Sequence, residues 1–257
     1  MKTIYLFILV VFLTTTTGHS QLKTVKYSDG NQILNGLSIK AAKKSSQNPG
    51  ILLLPAWLGI DNASKGIAED LSKLGYTVFI ADIYGEGNYP KNSSEAGKQA
   101  GFYKNNYEAY QKRITLALEE LIKSGANADN IVAIGYCFGG TGVLEAARGE
   151  LKLKGVVSFH GGLGKDATRK NQPIATKVLV CHGADDPFVS KEEINSFQQE
   201  MRDSKADWQM IYYANSVHSF TNPEAGNDNS KGAAYNATAA KRSFEHLQLF
   251  LNDVLKK

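Results

Sequence analysis

Cysteine is scarce in this chain: its 257 residues hold two, Cys137 and Cys181. At most one disulfide can form, and in an oxidising compartment an even count makes that bond the default reading. Charge of one sign is not concentrated. The formal net charge is +4, and the basic residues are scattered apart from pairs at Lys43-Lys44 and Lys256-Lys257, which excludes a nucleic-acid-binding stripe. No two histidines stand at metal-ligand spacing with a carboxylate, so neither a metal nor another cofactor is expected. The longest uncharged apolar run, Ile4 to Leu13, is too short for a membrane-spanning helix. Internal repeats and linkers are also missing.

What is present begins with an export signature. Lys2 precedes the apolar run, and "TTTTGHSQ" follows it with Gly18 and Ser20 as small residues, the layout of a secretory signal peptide. Residues 1–20 are therefore expected to be removed between Ser20 and Gln21, leaving a periplasmic or secreted protein that does not stay in the membrane. The alternative is an uncleaved anchor. Cysteine is absent near the cut, so a lipid-anchored mature end is not expected. Residues 21–257 suit one domain, with 42% hydrophobic and 21% charged residues, ordinary for a globular chain.

"LKTVKYS" and "ILNGLSIKAA" flank "DGN" and predict an antiparallel hairpin. The short apolar runs "ILLLPAW", "YTVFIAD" and "DNIVAIGY" read as buried strands, and "LKGVVSFHGG", "TKVLVCHGADD" and "DWQMIYY" as three more strands. Helices are predicted at about 62–74, 107–123, 140–148, after Ser190, and at 233–255. The glycine-rich stretch after Asp82 reads as a long connection. The alternation predicts an α/β fold, a mostly parallel sheet with helices on both faces and chemistry at the strand C-terminal ends.

Within "VAIGYCFGGTG" four glycines, Gly135, Gly139, Gly140 and Gly142, surround Cys137. A strand, then Gly-x-Cys-x-Gly, then a helix is the nucleophile elbow, with cysteine where serine is commoner. Glycines beside the nucleophile relieve the crowding of so tight a turn. The helix N-terminus favours the thiolate. A nucleophile of this kind needs a base and an orienting acid. Asp185 and Asp186 follow one strand and His218 follows the last, in the order that the fold predicts. His160 and His182 sit at strand ends and read as packed or supporting residues.

"GYCFGG", "HGADDPFV" and "HSFTNP…GAAYNATAAKRSFEHLQLFL", with "DIYGEG" after the fourth strand, resemble the dienelactone hydrolases, cysteine-nucleophile members of the α/β-hydrolase fold. The resemblance implies Cys137 as nucleophile, His218 as base and Asp186, rather than Asp185, as acid. It also implies an oxyanion hole from the backbone N–H groups of Phe138 and Trp57. Two positions depart from the family. Members acting on dienelactone carry a glutamate where Ala56 stands, and an arginine for the substrate carboxylate where Asn222 stands. The expected activity is thus hydrolysis of a small-molecule ester or lactone other than dienelactone itself, by a monomer. Ala56, Tyr84, Phe220 and Asn222 are the candidate substrate-pocket residues, with Trp57, Phe102 and Tyr103 as further aromatics. The same two departures permit a non-catalytic binding homologue, and the cysteine pair permits a disulfide.

Overall fold

The computed structural model describes residues 21–257, so the expected export segment lies outside the described residues. Eight strands form one sheet: β1 (Lys23–Asp29), β2 (Gln32–Ile39), β3 (Gly50–Leu54), β4 (Thr77–Ile80), β5 (Ile131–Tyr136), β6 (Gly155–Phe159), β7 (Lys177–Gly183) and β8 (Trp208–Tyr213). Their spatial order is β1-β2-β4-β3-β5-β6-β7-β8. β1 and β2 form the expected hairpin, turning at Gly30 with φ 57. β2 meets β4 antiparallel, and every pairing from β4 to β8 is parallel. This is the α/β-hydrolase arrangement that the resemblance implies.

The six helices are α1 (Asn62–Lys73), α2 (Ser93–Asn105), α3 (Tyr107–Lys123), α4 (Phe138–Arg148), α5 (Lys191–Asp203) and α6 (Ala237–Val254). They cover both faces because alternate strand residues point to opposite sides. Leu52, Leu54 and Ala133 join the core beneath α3, α4 and α5, whereas Ile51, Leu53 and Val132 join the core beneath α1 and α6. α1 ends as expected, with Gly75 at φ 98 just past its Leu74 cap.

Three expectations change. The stretch after Asp82 contains α2, capped by the Asn92 side chain accepting from the Glu95 N–H. Gly97 and Gly101 are poor helix formers, but Ala96, Ala100 and Tyr103 bury its inner face, and packing outweighs propensity. On α3, where the sequence places Ile114, Leu118, Leu121 and Ile122 on one apolar face, the first three are buried and Ile122 is 37% exposed. α6 starts later than expected because residues 232–234 pair with the backbone of His218. The His218 N–H donates to the Gly232 carbonyl, and the Ala234 N–H donates to the His218 carbonyl.

Candidate active site

β3 lies between β4 and β5, so the chain leaves β3 to one side and returns to the other. Ligands bind at such switch points, outside the strand C-termini. Leu54, at the end of β3, is in register with Gly135 near the end of β5. The loop carrying Trp57 and the turn carrying Cys137 are therefore adjacent.

Cys137 adopts φ 53 and ψ −113 between β5 and α4. A non-glycine residue enters this region at a cost of about 1–3 kcal/mol. The flanking glycines make the turn possible: a Cβ at Gly135 would strike the Gly139 carbonyl, and one at Gly139 would strike the Leu54 carbonyl. Hydrogen bonds at both ends hold the elbow, from the Cys137 N–H to the Phe159 carbonyl at 3.0 Å and from the Thr141 N–H to the Cys137 carbonyl at 3.2 Å.

The thiol faces His218, whose Nε2 lies 3.0 Å from Cys137 Sγ. On its other side, His218 Nδ1 lies 2.9 Å from Asp186 Oδ2. Asp186 is itself oriented, since its Oδ1 accepts from the Phe188 N–H at 2.9 Å. Asp185 is exposed and takes no part in this chain. Burial opposes charge on His218, but hydrogen bonds to Asp186 and Cys137, and the attraction of both groups, push its pKa up to about 9. Burial likewise opposes a Cys137 thiolate. The hydrogen bond and charge of His218, the charge of Lys104 and the Phe138 N–H nevertheless hold this thiol below its ordinary value. Both shifts run in the direction that favours a thiolate beside an imidazolium.

An aromatic column backs the turn. Phe138 stacks on Tyr110 at 4.6 Å and on Tyr84 at 5.7 Å. The Tyr110 hydroxyl donates to the Phe138 carbonyl at 3.0 Å, and the Tyr84 hydroxyl donates to the Trp57 carbonyl at 2.7 Å. The two expected oxyanion-hole residues are thus each fixed by a tyrosine. As the first helical residue, Phe138 has no intrahelical acceptor for its N–H.

A cavity of about 100 Å³ opens beside Cys137, with Ala56, Trp57, His160, Thr221 and Asn222 in its lining. Ala56 and Asn222 are thus brought together beside Cys137. Tyr84 and Phe220 do not line it. Tyr84 is 2% exposed because it supports Phe138 and Trp57 from behind, and fully buried Phe220 packs against His160 and Tyr213. Phe102 points outward from α2, and Tyr103 is buried beneath it. Residues 222–231 contain two short 3-10 turns, capped by the side chains of Asn222 and Asp228. Asp61, which sequence reasoning passed over, also lines the cavity while capping α1. Its signal was the Asp-x-x-Ser spacing before a helix.

Both cysteines are free thiols. Cys181 is buried within β7, so the disulfide that the even count suggests is not formed. Among the described residues no cluster of histidine, cysteine and carboxylate could hold a metal, and no helix is long and apolar enough to cross a membrane.

Comparison with known proteins gives the family. The solved structure of a dienelactone hydrolase-like promiscuous phosphotriesterase from metagenomic libraries is 33% identical, with a TM-score of 0.87, covering 93% of this chain and 100% of that one. A Bradyrhizobium protein described as a probable 2-oxo-3-(5-oxofuran-2-ylidene)propanoate lactonase is 26% identical over 182 residues, 67% of this chain and 73% of the relative. A Caenorhabditis elegans protein of uncharacterized function is 34% identical over 126 residues, 47% of this chain and 78% of that protein. Residues 37–255 match the profile of the dienelactone hydrolase family, and this chain belongs to that family of hydrolases.

Proposed function

We propose that the protein hydrolyses small, uncharged esters or lactones through a thioester acyl-enzyme on Cys137. One observation carries this reading: a strained, glycine-flanked thiol 3.0 Å from His218, which Asp186 orients at 2.9 Å. The Cys137 thiolate attacks the carbonyl carbon. The oxyanion is held by the Phe138 and Trp57 N–H groups, and such a donor is worth about 3–4 kcal/mol. His218 then gives its proton to the departing alkoxide, leaving a thioester and a neutral imidazole. Water completes hydrolysis with His218 as general base.

The cavity suggests the substrate class. At about 100 Å³ it suits a short acyl group or a small lactone ring. Ala56 and Asn222 bring no positive charge to it, and the Asn222 side chain is engaged with the Glu224 N–H. The Asp61 carboxylate in the lining opposes a substrate carboxylate. Neutral substrates with good leaving groups fit this site best.

The test uses p-nitrophenyl acetate and simple enol lactones with wild type, Cys137→Ala and Cys137→Ser. Cys137→Ala should lose at least a thousandfold in kcat/KM, and wild type should carry acetyl on Cys137 by mass spectrometry. Activity surviving unchanged in Cys137→Ala would remove the cysteine-nucleophile reading. An inactive wild type would point to the binding homologue.

A further inference from the structure

His160 follows β6 and is unused in the reaction above. Its backbone sits at φ 39, an uncommon region for a residue with a side chain. That conformation lays the ring edge-on to His218 and to Phe220, with centroids 5.3 Å away in each case. His160 is 3% exposed, and its Nδ1 has no hydrogen-bond partner. Its Nε2 lies 2.8 Å from Thr221 Oγ1. Burial, followed by the charge of His218, holds its pKa well below the ordinary histidine value, so the ring stays neutral. His160, Thr221 and Cys137 line one cavity.

We propose that His160 and Thr221 form a hydrogen-bonded pair that positions the water which hydrolyses the Cys137 acyl-enzyme, an inference that rests on the cysteine-nucleophile reading. A neutral imidazole nitrogen either donates or accepts, and a hydroxyl has one proton and two lone pairs. When Nε2 carries the proton, Thr221 accepts from it and turns its own proton to the cavity. When Nε2 is bare, Thr221 donates to it and turns lone pairs to the cavity. Water satisfies either arrangement, whereas a carbonyl oxygen satisfies only the first. Elsewhere in the lining, the Asn222 carbonyl oxygen and the Asp61 carboxylate are held by backbone N–H groups. Thr221 is the lining hydroxyl that His160 itself holds in place, at 2.8 Å, for a water near the thioester.

In the step itself, the water oxygen bonds to the thioester carbon while one of its protons passes to His218 Nε2. The tetrahedral oxyanion collapses, the carbon–sulfur bond breaks, and its electron pair returns to Cys137. The carboxylic acid leaves and ionises in solvent, and the thiolate–imidazolium pair is restored. His160 and Thr221 neither gain nor lose a proton. They are positioning residues.

Rapid-quench mass spectrometry with p-nitrophenyl acetate tests this, following both gain and loss of acetyl on Cys137. Thr221→Val keeps the side-chain shape and should gain acetyl within about twofold of the wild-type rate. It should lose acetyl about tenfold more slowly, the effect of one hydrogen bond. Thr221→Ser should restore the loss rate, and His160→Gln should retain part of it. Equal slowing of both steps, or an unchanged rate of loss in Thr221→Val, overturns the proposal. A wild-type enzyme that turns over without acetyl on Cys137 fails the underlying reading instead.

Discussion

Cys181 lies within β7, where burial pushes its thiol up to about 12 despite a 3.6 Å contact from the Tyr213 hydroxyl. Cys137 is also desolvated, yet its bond to His218 reverses the direction of the shift. Because the thiolate is the reactive form, Cys137 should react with iodoacetamide at a rate that persists below the ordinary thiol range. In His218→Ala the burial of Cys137 is unopposed by an imidazolium, so the inflection should move to higher pH. Cys181 should stay unlabelled until the protein unfolds. Alkylation rates across pH, with peptide mapping, check both statements. An inflection that stays in place in His218→Ala would contradict the ion-pair description.

At the scale of the element, the N-terminus of α1 is both a cap and a cavity wall. Asp61 accepts from the Ser64 N–H at 2.8 Å, while the Ser64 hydroxyl oxygen accepts from the Asp61 N–H at 3.0 Å. Asp61 and Ser64 also line the cavity beside Cys137. Asp61→Ala should lower stability by about 1 kcal/mol, the usual cost of a lost cap. Asp61→Asn should keep most of that stability, since the amide oxygen can still accept. Urea denaturation of the two variants separates loss of the cap from loss of charge. α4 carries a similar double duty: Gly140 faces the Ser158 hydroxyl and Gly161, where a Cβ would approach to 2.8 and 2.9 Å. The helix therefore approaches β6 more closely than an alanine would permit.

Across the whole molecule, a buried ionic cluster ties the helix behind the elbow to its neighbours. Arg148 on α4 bonds Glu200 of α5 through two nitrogens at 2.9 and 2.8 Å, and Glu145 at 2.9 Å. It also donates to the Leu163 and Gly164 carbonyls, in the loop after His160. Arg169 adds a bond to Glu145 at 2.8 Å. With side chains only 4–7% exposed at Arg148, Glu145 and Glu200, removing the guanidinium leaves charges desolvated and uncompensated. Arg148→Met should therefore cost about 3–5 kcal/mol, read as a lowered denaturation midpoint. A loss below about 1 kcal/mol would mean that water replaces the guanidinium freely.

Much of this arrangement was legible in the residues because it depends on local rules. Runs such as "GILLL" must be buried strands, and glycines at 135 and 139 permit a turn that any side chain would block. The order Cys137, Asp186, His218 follows from the fold's connectivity, which local patterning also sets. Tertiary packing decided the rest. Strand order alone leaves Asp185 and Asp186 open; the family resemblance points to Asp186, and the fold brings that carboxylate to His218 Nδ1 across 32 residues of chain. Tyr84 and Phe220 carry the composition of pocket residues, yet packing on Phe138 and on Tyr213 turns them inward. α2 escapes propensity because its glycines are offset by contacts with the core. His160 gains its place from Thr221, 61 residues away. Local sequence determines which conformations and chemistries are available, and long-range burial and hydrogen bonding select among them, because those contacts exist only after the chain has folded.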